Sequence, residues 1–375
     1  MSLNLYNHTR LTLVAICFCL FGKMQYTSAM DNCLHYGTGT ISISFDKSIA
    51  TDSIDVTAIT SSIFNDPFEE DIIHFTKKDN NTFTCQVPLE TQTSLIGISV
   101  DTPDRRLSIG LVEIHPDIPL VMEAYFDSDG LLMYSKSDHN GFNRFDMAPT
   151  ENNKSIIVSD MLMRFASYHL GLSESEPQIT SSDYNSWETV SQKLDSLYDT
   201  QISYAINGRE IPAEAEKLLE NNFKYFFAAN WRMHYKERAE KTFNIPPPID
   251  NPPVEYYTFL NDIDFSDALL NHTPIFGPYF LLKKMLQKLE LGEPIGDTSI
   301  QEWQHSLKRN LKPIIPEPTQ LLLDMLSATS YIMQLKDNNT PLSPIQIENL
   351  NSDFDKNLRA IILSRSRRSD RTSRP

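Results

Sequence analysis

The chain has 375 residues, enough for two domains, and an ordinary 40% of hydrophobic residues to build their cores. Its net charge of −16 is uneven: residues 364–375 carry five Arg against one Asp, residues 1–29 carry Arg10 and Lys23 with no acid, and the body between is left at −22. So acidic a body repels nucleic acid and anionic membrane surfaces, which argues against nucleic-acid partners.

The first 29 residues read as a targeting segment. Arg10 is followed by an apolar run from Leu11 to Gly22, and Thr27-Ser28-Ala29 offers small residues for cleavage. This is the three-part pattern of a secretory signal peptide. The run falls short of the ~20 apolar residues that span a bilayer. The expectation is export to the periplasm or cell envelope, with the membrane involved only through the signal. An apolar first strand or an uncleaved anchor is the alternative. Cleavage near Ala29 removes Cys17 and Cys19 and leaves Cys33 and Cys85. In an oxidising compartment these two either form a structural disulfide or stay as free thiols. Neither stands in a C-x-x-C.

Residues 34–147 read as a β domain. Thr40 to Phe45 alternates Ile41, Ile43 and Phe45 with Thr40, Ser42 and Ser44, the period of a half-buried strand. Further runs at Ser53–Ile59, Asp71–Thr76, Asn81–Val87, Ser94–Val100, Leu107–Ile114 and Pro119–Phe126 repeat that habit. Asp79-Asn80-Asn81 and Ser128-Asp129-Gly130 have hairpin-turn composition. Seven or eight such strands predict an antiparallel sandwich. Asp127-Ser128-Asp129-Gly130 lacks the later acids of a calcium loop and reads as a plain turn.

Residues 155–363 read as helical, giving an α+β chain that ends in an irregular bundle. The predicted helices are Ile157–Leu170, Asp183–Ile206, Glu210–Phe243, Gly277–Leu291, Ser299–Leu311, Pro318–Lys336 and Ser343–Leu363. The third holds Phe223, Tyr225, Phe226, Phe227, Trp231 and Tyr235, apolar on most faces and therefore buried on most faces. Ser299 to Glu302 and Ser343 to Gln346 are capping boxes. Pro246 to Pro253 predicts an extended connector. Asp262, Asp264 and Asp267 alternate with Ile263 and Phe265, which fits a solvated face better than a metal cluster. Residues 364–375, with five Arg among small polar residues, predict a disordered tail.

No G-x-S-x-G, H-E-x-x-H, P-loop or dinucleotide fingerprint occurs. No catalytic residue, metal ligand or cofactor is therefore expected. The order of parts does resemble a known family. The residues that carry the resemblance are Asn81-Thr82-Phe83-Thr84-Cys85-Gln86-Val87-Pro88, Tyr256-Tyr257-Thr258-Phe259-Leu260, and Pro341 to Leu363 with Phe354, Leu358, Ile361 and Ile362. The chain resembles the region before the thioredoxin domain in TlpA-type envelope proteins. That resemblance implies an accessory module, here read as truncated before the redox domain. Since no C-x-x-C follows Leu363, no residue inherits the family's redox role. The resulting expectation is a non-catalytic exported module that binds a protein or ligand in the envelope. The alternatives are a thiol-disulfide protein acting with a separate thioredoxin partner, or a hydrolase with a site at the domain junction.

Overall fold

The computed structural model describes residues 34–46, 54–60, 63–64, 71–92, 94–102, 106–116, 118–126, 132–136, 143–144, 161, 165, 187–206, 211, 213–235, 252–265 and 278–372. The predicted signal segment, Cys33, the proline-rich connector's first residues and Asp267 lie outside them.

Among the described residues ten strands form the β domain: β1 Leu34–Phe45, β2 Asp55–Thr60, β3 Asp71–His74, β4 Thr76–Lys77, β5 Thr82–Thr91, β6 Ser94–Asp101, β7 Arg106–Ile114, β8 Leu120–Phe126, β9 Leu132–Lys136 and β10 Asn143–Arg144. They make two sheets, β10-β9-β8-β1-β5-β4 and β3-β2-β6-β7. Alternation along the strands decides which side chains meet. Ile41, Ile43, Phe83, Cys85 and Val87 of the first sheet share one buried core with Val56, Ala58, Ile96, Ile98 and Val112 of the second. Their partners in sequence, such as Ser42, Ser44 and Thr84, are only partly covered. Gly39 belongs to this contact, because a Cβ there would lie 2.4 Å from the Ile114 side chain.

The β domain departs from the sequence reading in two ways. β1 and β8 run parallel, Ile41 opposite Leu120 through Phe45 opposite Ala124, so the first sheet is mixed. The run Asp71–Thr76 is also not one strand. Its first part pairs with β2 and its last residue with β5, and buried Phe75 is the crossing point between the sheets. The Asp79 turn forms as expected: the Asp79 carboxylate accepts from the backbone N–H of Asn81 (3.0 Å) and Thr82 (2.8 Å). Residues 127–130 are outside the described set, but β8 and β9 on either side of them pair antiparallel.

The helices are α1 Trp187–Ile206, α2 Ala213–Phe227, α3 Tyr279–Lys288, α4 Ile300–Leu311, α5 Gln320–Lys336, α6 Pro344–Asp353 and α7 Lys356–Thr372. Met161 and Phe165, also helical, come from the first predicted helix. α2 runs straight into a π-helical turn, Ala228–Arg232, in which the Met233 N–H reaches the Ala228 carbonyl at 2.9 Å. The long aromatic helix is thus not uniformly α. Asn230 donates its side-chain amide to the Phe226 carbonyl (3.0 Å), taking an acceptor on which the regular ladder relies. Burial on most faces holds: Leu219, Phe223, Tyr225, Phe226, Phe227, Ala228, Ala229 and Trp231 are all buried. α5 is as enclosed, with Leu322, Met325, Leu326, Ala328, Tyr331 and Ile332 buried. α3, α4 and α7 pack on it.

The Ser343 capping box forms in both directions, while at Ser299 the side chain accepts from the Glu302 N–H. The final predicted helix is broken. Phe354 is extended, and Asp355 starts α7 by accepting from the Asn357 and Leu358 N–H groups at 2.7 and 3.2 Å. α7 then continues through the segment that composition reads as disordered. Packing overrides composition at Arg365. Arg365 pairs with Glu90 of β5 at 3.1 Å, both side chains almost covered, and its guanidinium lies over the Phe64 ring. Glu90 also accepts from the Ile63 N–H at 3.0 Å. Ile63 and Phe64 enter the helical core, where Phe64 meets Tyr279 edge-on. The two domains therefore share a core at this corner.

Candidate functional site

An aromatic recess lies in the helical domain, where the π turn meets the 3-10 helix Val254–Asp262. It is a cleft of about 390 Å³, within the range of small-ligand sites. Trp187 at the start of α1, Tyr235 beyond the π turn, and Tyr256 and Tyr257 on the 3-10 helix supply its walls. The Trp187 ring packs on Tyr256 at 4.8 Å and on Tyr235 at 5.6 Å, and Tyr256 meets Tyr257 at 5.3 Å. Arg232, Lys288 and Glu290 bring charge to the lining.

Local structure explains why these groups are held. The π turn adds a residue to the helical circuit, so Arg232 leaves the regular stripe and reaches α1. There it pairs with Asp195 and approaches Ser191 at 3.4 Å. Its guanidinium also lies over the Phe259 ring at 5.1 Å, a contact that favours a cation on an aromatic face. Tyr256 donates its hydroxyl to the Arg232 carbonyl at 2.9 Å. Burial pushes the Tyr256 hydroxyl well above its ordinary range, with Arg232 opposing, so it stays a neutral donor. On the opposite side, Glu290 follows α3 with a φ of +50°, a position where glycine is the usual residue. A non-glycine held there is strained, and such strain gathers at ligand sites. The arrangement can bind: it has apolar walls, fixed donors and a charged lining.

Among the sequence's candidates, Cys85 is a free and buried thiol, and burial pushes it up to about 12. Cys33 is outside the described residues. Its neighbour Leu34 stands opposite Thr91, while Cys85 stands opposite Ile41. Of the acids Asp262, Asp264 and Asp267, the last lies outside the described residues, and Asp264 is tied to α2. Its backbone exchanges two hydrogen bonds with the Asn221 amide, at 2.7 and 2.8 Å. No metal-holding group of His, Cys, Asp and Glu occurs among the described residues. No described helix is long and apolar enough to cross a membrane. Sequence reasoning named Tyr256 and Tyr257 only as carriers of a family resemblance, and missed the cleft they form with Trp187 and Arg232. No spacing signal joins them, because they come from separate elements.

No family model matches the sequence, and no curated protein matches it. Among solved structures the chain is similar to a putative cell adhesion protein from Bacteroides ovatus, at 10% identity and a TM-score of 0.22. The match covers 30% of this chain and 46% of that one. A likeness so slight says nothing about this chain's role.

Proposed function

We propose that the chain is an exported, non-catalytic binding module that holds a small ligand with an apolar body in the aromatic cleft. The observation that carries the reading is the enclosure of Trp187, Tyr235, Tyr256 and Tyr257 around one cleft, with Arg232 fixed beside them. Such apolar walls with a few placed polar groups are the usual makeup of a small-molecule site. The resemblance to the region preceding a thioredoxin domain agrees with an accessory role in the envelope. The Cys85 thiol speaks against the thiol-disulfide alternative: a group that keeps its proton to about pH 12 offers almost no thiolate at neutral pH.

The test combines location with binding. N-terminal sequencing of the envelope form should begin near Met30. A thermal-shift screen with small ring compounds should raise the melting temperature of the wild-type chain, and Tyr257→Ala should abolish the shift. A chain that starts at Met1 in the cytoplasm, or a screen in which Tyr257→Ala responds like wild type, defeats the reading.

A further inference from the structure

Among the described residues, the first sheet is incomplete along one side. β4 has two residues and β5 has ten, because the chain crosses to the other sheet at Phe75. β4 covers β5 only at Phe83 and Thr84. Past that point Cys85–Leu89 has β1 on one side and, among the described residues, no strand on the other.

Two backbone hydrogen bonds fix which way each backbone group points. The Asn81 carbonyl accepts from the Phe45 N–H, toward β1, at 2.8 Å. The Thr82 carbonyl accepts from the Lys78 N–H, toward β4, also at 2.8 Å. Backbone groups alternate in direction along a strand. Val87 and Leu89 therefore face β1, whereas Gln86 and Pro88 face the open edge. Pro88 fits this phase, since it stands opposite Thr38 with no N–H to give, and proline is tolerated at edges. The open edge thus presents the N–H and C=O of Gln86 and the C=O of Pro88.

A cleft of about 310 Å³ runs along this edge. Its opposite wall is Asp71, Ile72 and Ile73 of β3, and Tyr36 lines it too. Ile72 is 54% exposed and Tyr36 38%, large apolar groups left in contact with water. A backbone edge facing an apolar wall is the recognition surface used when an extended peptide adds a strand to a sheet.

We propose that this slot takes an extended peptide of a partner protein, added antiparallel to β5 in line with β4. The peptide gives N–H groups to the Gln86 and Pro88 carbonyls and accepts from the Gln86 N–H. Alternate β-branched side chains lie against Ile72. The acidic body, at −22, favours a basic segment over an acidic one. The site is separate from the aromatic cleft and does not depend on it.

The experiment is residue-resolved amide exchange on the full chain. The probe is a capped heptapeptide of alternating threonine and valine with a lysine at each end. In the free monomer the Gln86 amide should exchange much faster than those of Val87 and Leu89. Saturating probe should slow Gln86 by about tenfold or more. Gln86→Pro, which removes the donor on the open edge alone, should weaken probe binding. A probe N-methylated at its central residues should not protect Gln86, and it serves as the control whether or not the variant folds. The proposal fails if Gln86 exchanges as slowly as Val87 in the free monomer. It fails equally if the probe leaves Gln86 unchanged, or if the N-methylated probe works as well as its parent. Protection that grows with protein concentration without probe would assign the edge to a second copy of the chain, and would overturn the partner-peptide assignment.

Discussion

Cys85 faces the sandwich core opposite Ile41, and its chemistry follows from that position. Burial lifts the thiol from an ordinary 9.0 to about 12. The folded chain then keeps a proton that the unfolded chain loses near pH 9. Stability from this group is complete below pH 9 and declines as the pH rises from 9 toward 12. A urea midpoint that falls over this range, and falls less in Cys85→Ala, is the expected result. At pH 8 a thiol reagent should label native Cys85 slowly and the urea-unfolded chain at once. Counting thiols in urea without reductant also separates free thiols from a Cys33–Cys85 bridge. Trp231, 3% exposed within the π turn, makes a second test at this scale. Trp231→Ala should cost roughly 3–5 kcal/mol, read from a denaturant melt. A midpoint that hardly moves would place the indole at the surface.

Elements were legible where local chemistry and packing agree. The strands from β5 to β8 and the helices α4 and α5 lie close to where alternation, β-branching and caps place them. Discrepancies arise where a distant partner decides. Phe75 ends one strand and begins another because both sheets need its ring in their common core, and no dipeptide there signals a crossing. Asn230 diverts a backbone carbonyl inside a helix whose propensity is otherwise continuous. Asp355 was readable in principle as a start signal, but the hydrophobic spacing of Leu350, Phe354, Leu358, Ile361 and Ile362 masks the break. That cap can be weighed directly. Asp355→Ala leaves the Asn357 and Leu358 N–H groups without their acceptor and should cost about 1 kcal/mol, whereas Asp355→Ser should recover most of it. Equal stability of the alanine and serine variants would show that packing alone positions α7. The aromatic cleft was illegible for a related reason: its walls are adjacent only after α1, the π turn and the 3-10 helix have docked.

At the scale of the whole molecule, the Glu90–Arg365 pair ties the sandwich to the bundle. Both side chains are little exposed, 12% and 13%, so removing one leaves a covered charge without its partner. Arg365→Ala should therefore cost roughly 3–5 kcal/mol, well above a surface pair. Truncation after Leu363 removes the same guanidinium and should lower the melting temperature, although composition alone predicts no effect. An unchanged melt in both variants would show that the domains hold together without this contact. The same corner brings the first strand and the last helix side by side: α7 packs on β1, and the Tyr36 N–H reaches Asn357 at 3.4 Å across 321 residues. β1 is also an interior strand, held between β5 and β8. Synthesis releases β1 well before α7. β1 can acquire its sheet neighbours early, but its helical neighbour arrives only after more than 300 further residues have emerged. Until then Leu34 and Phe64 lack part of their cover. The interval between these events is when the chain is most open to proteases and chaperones, and a slow final step should appear in its refolding.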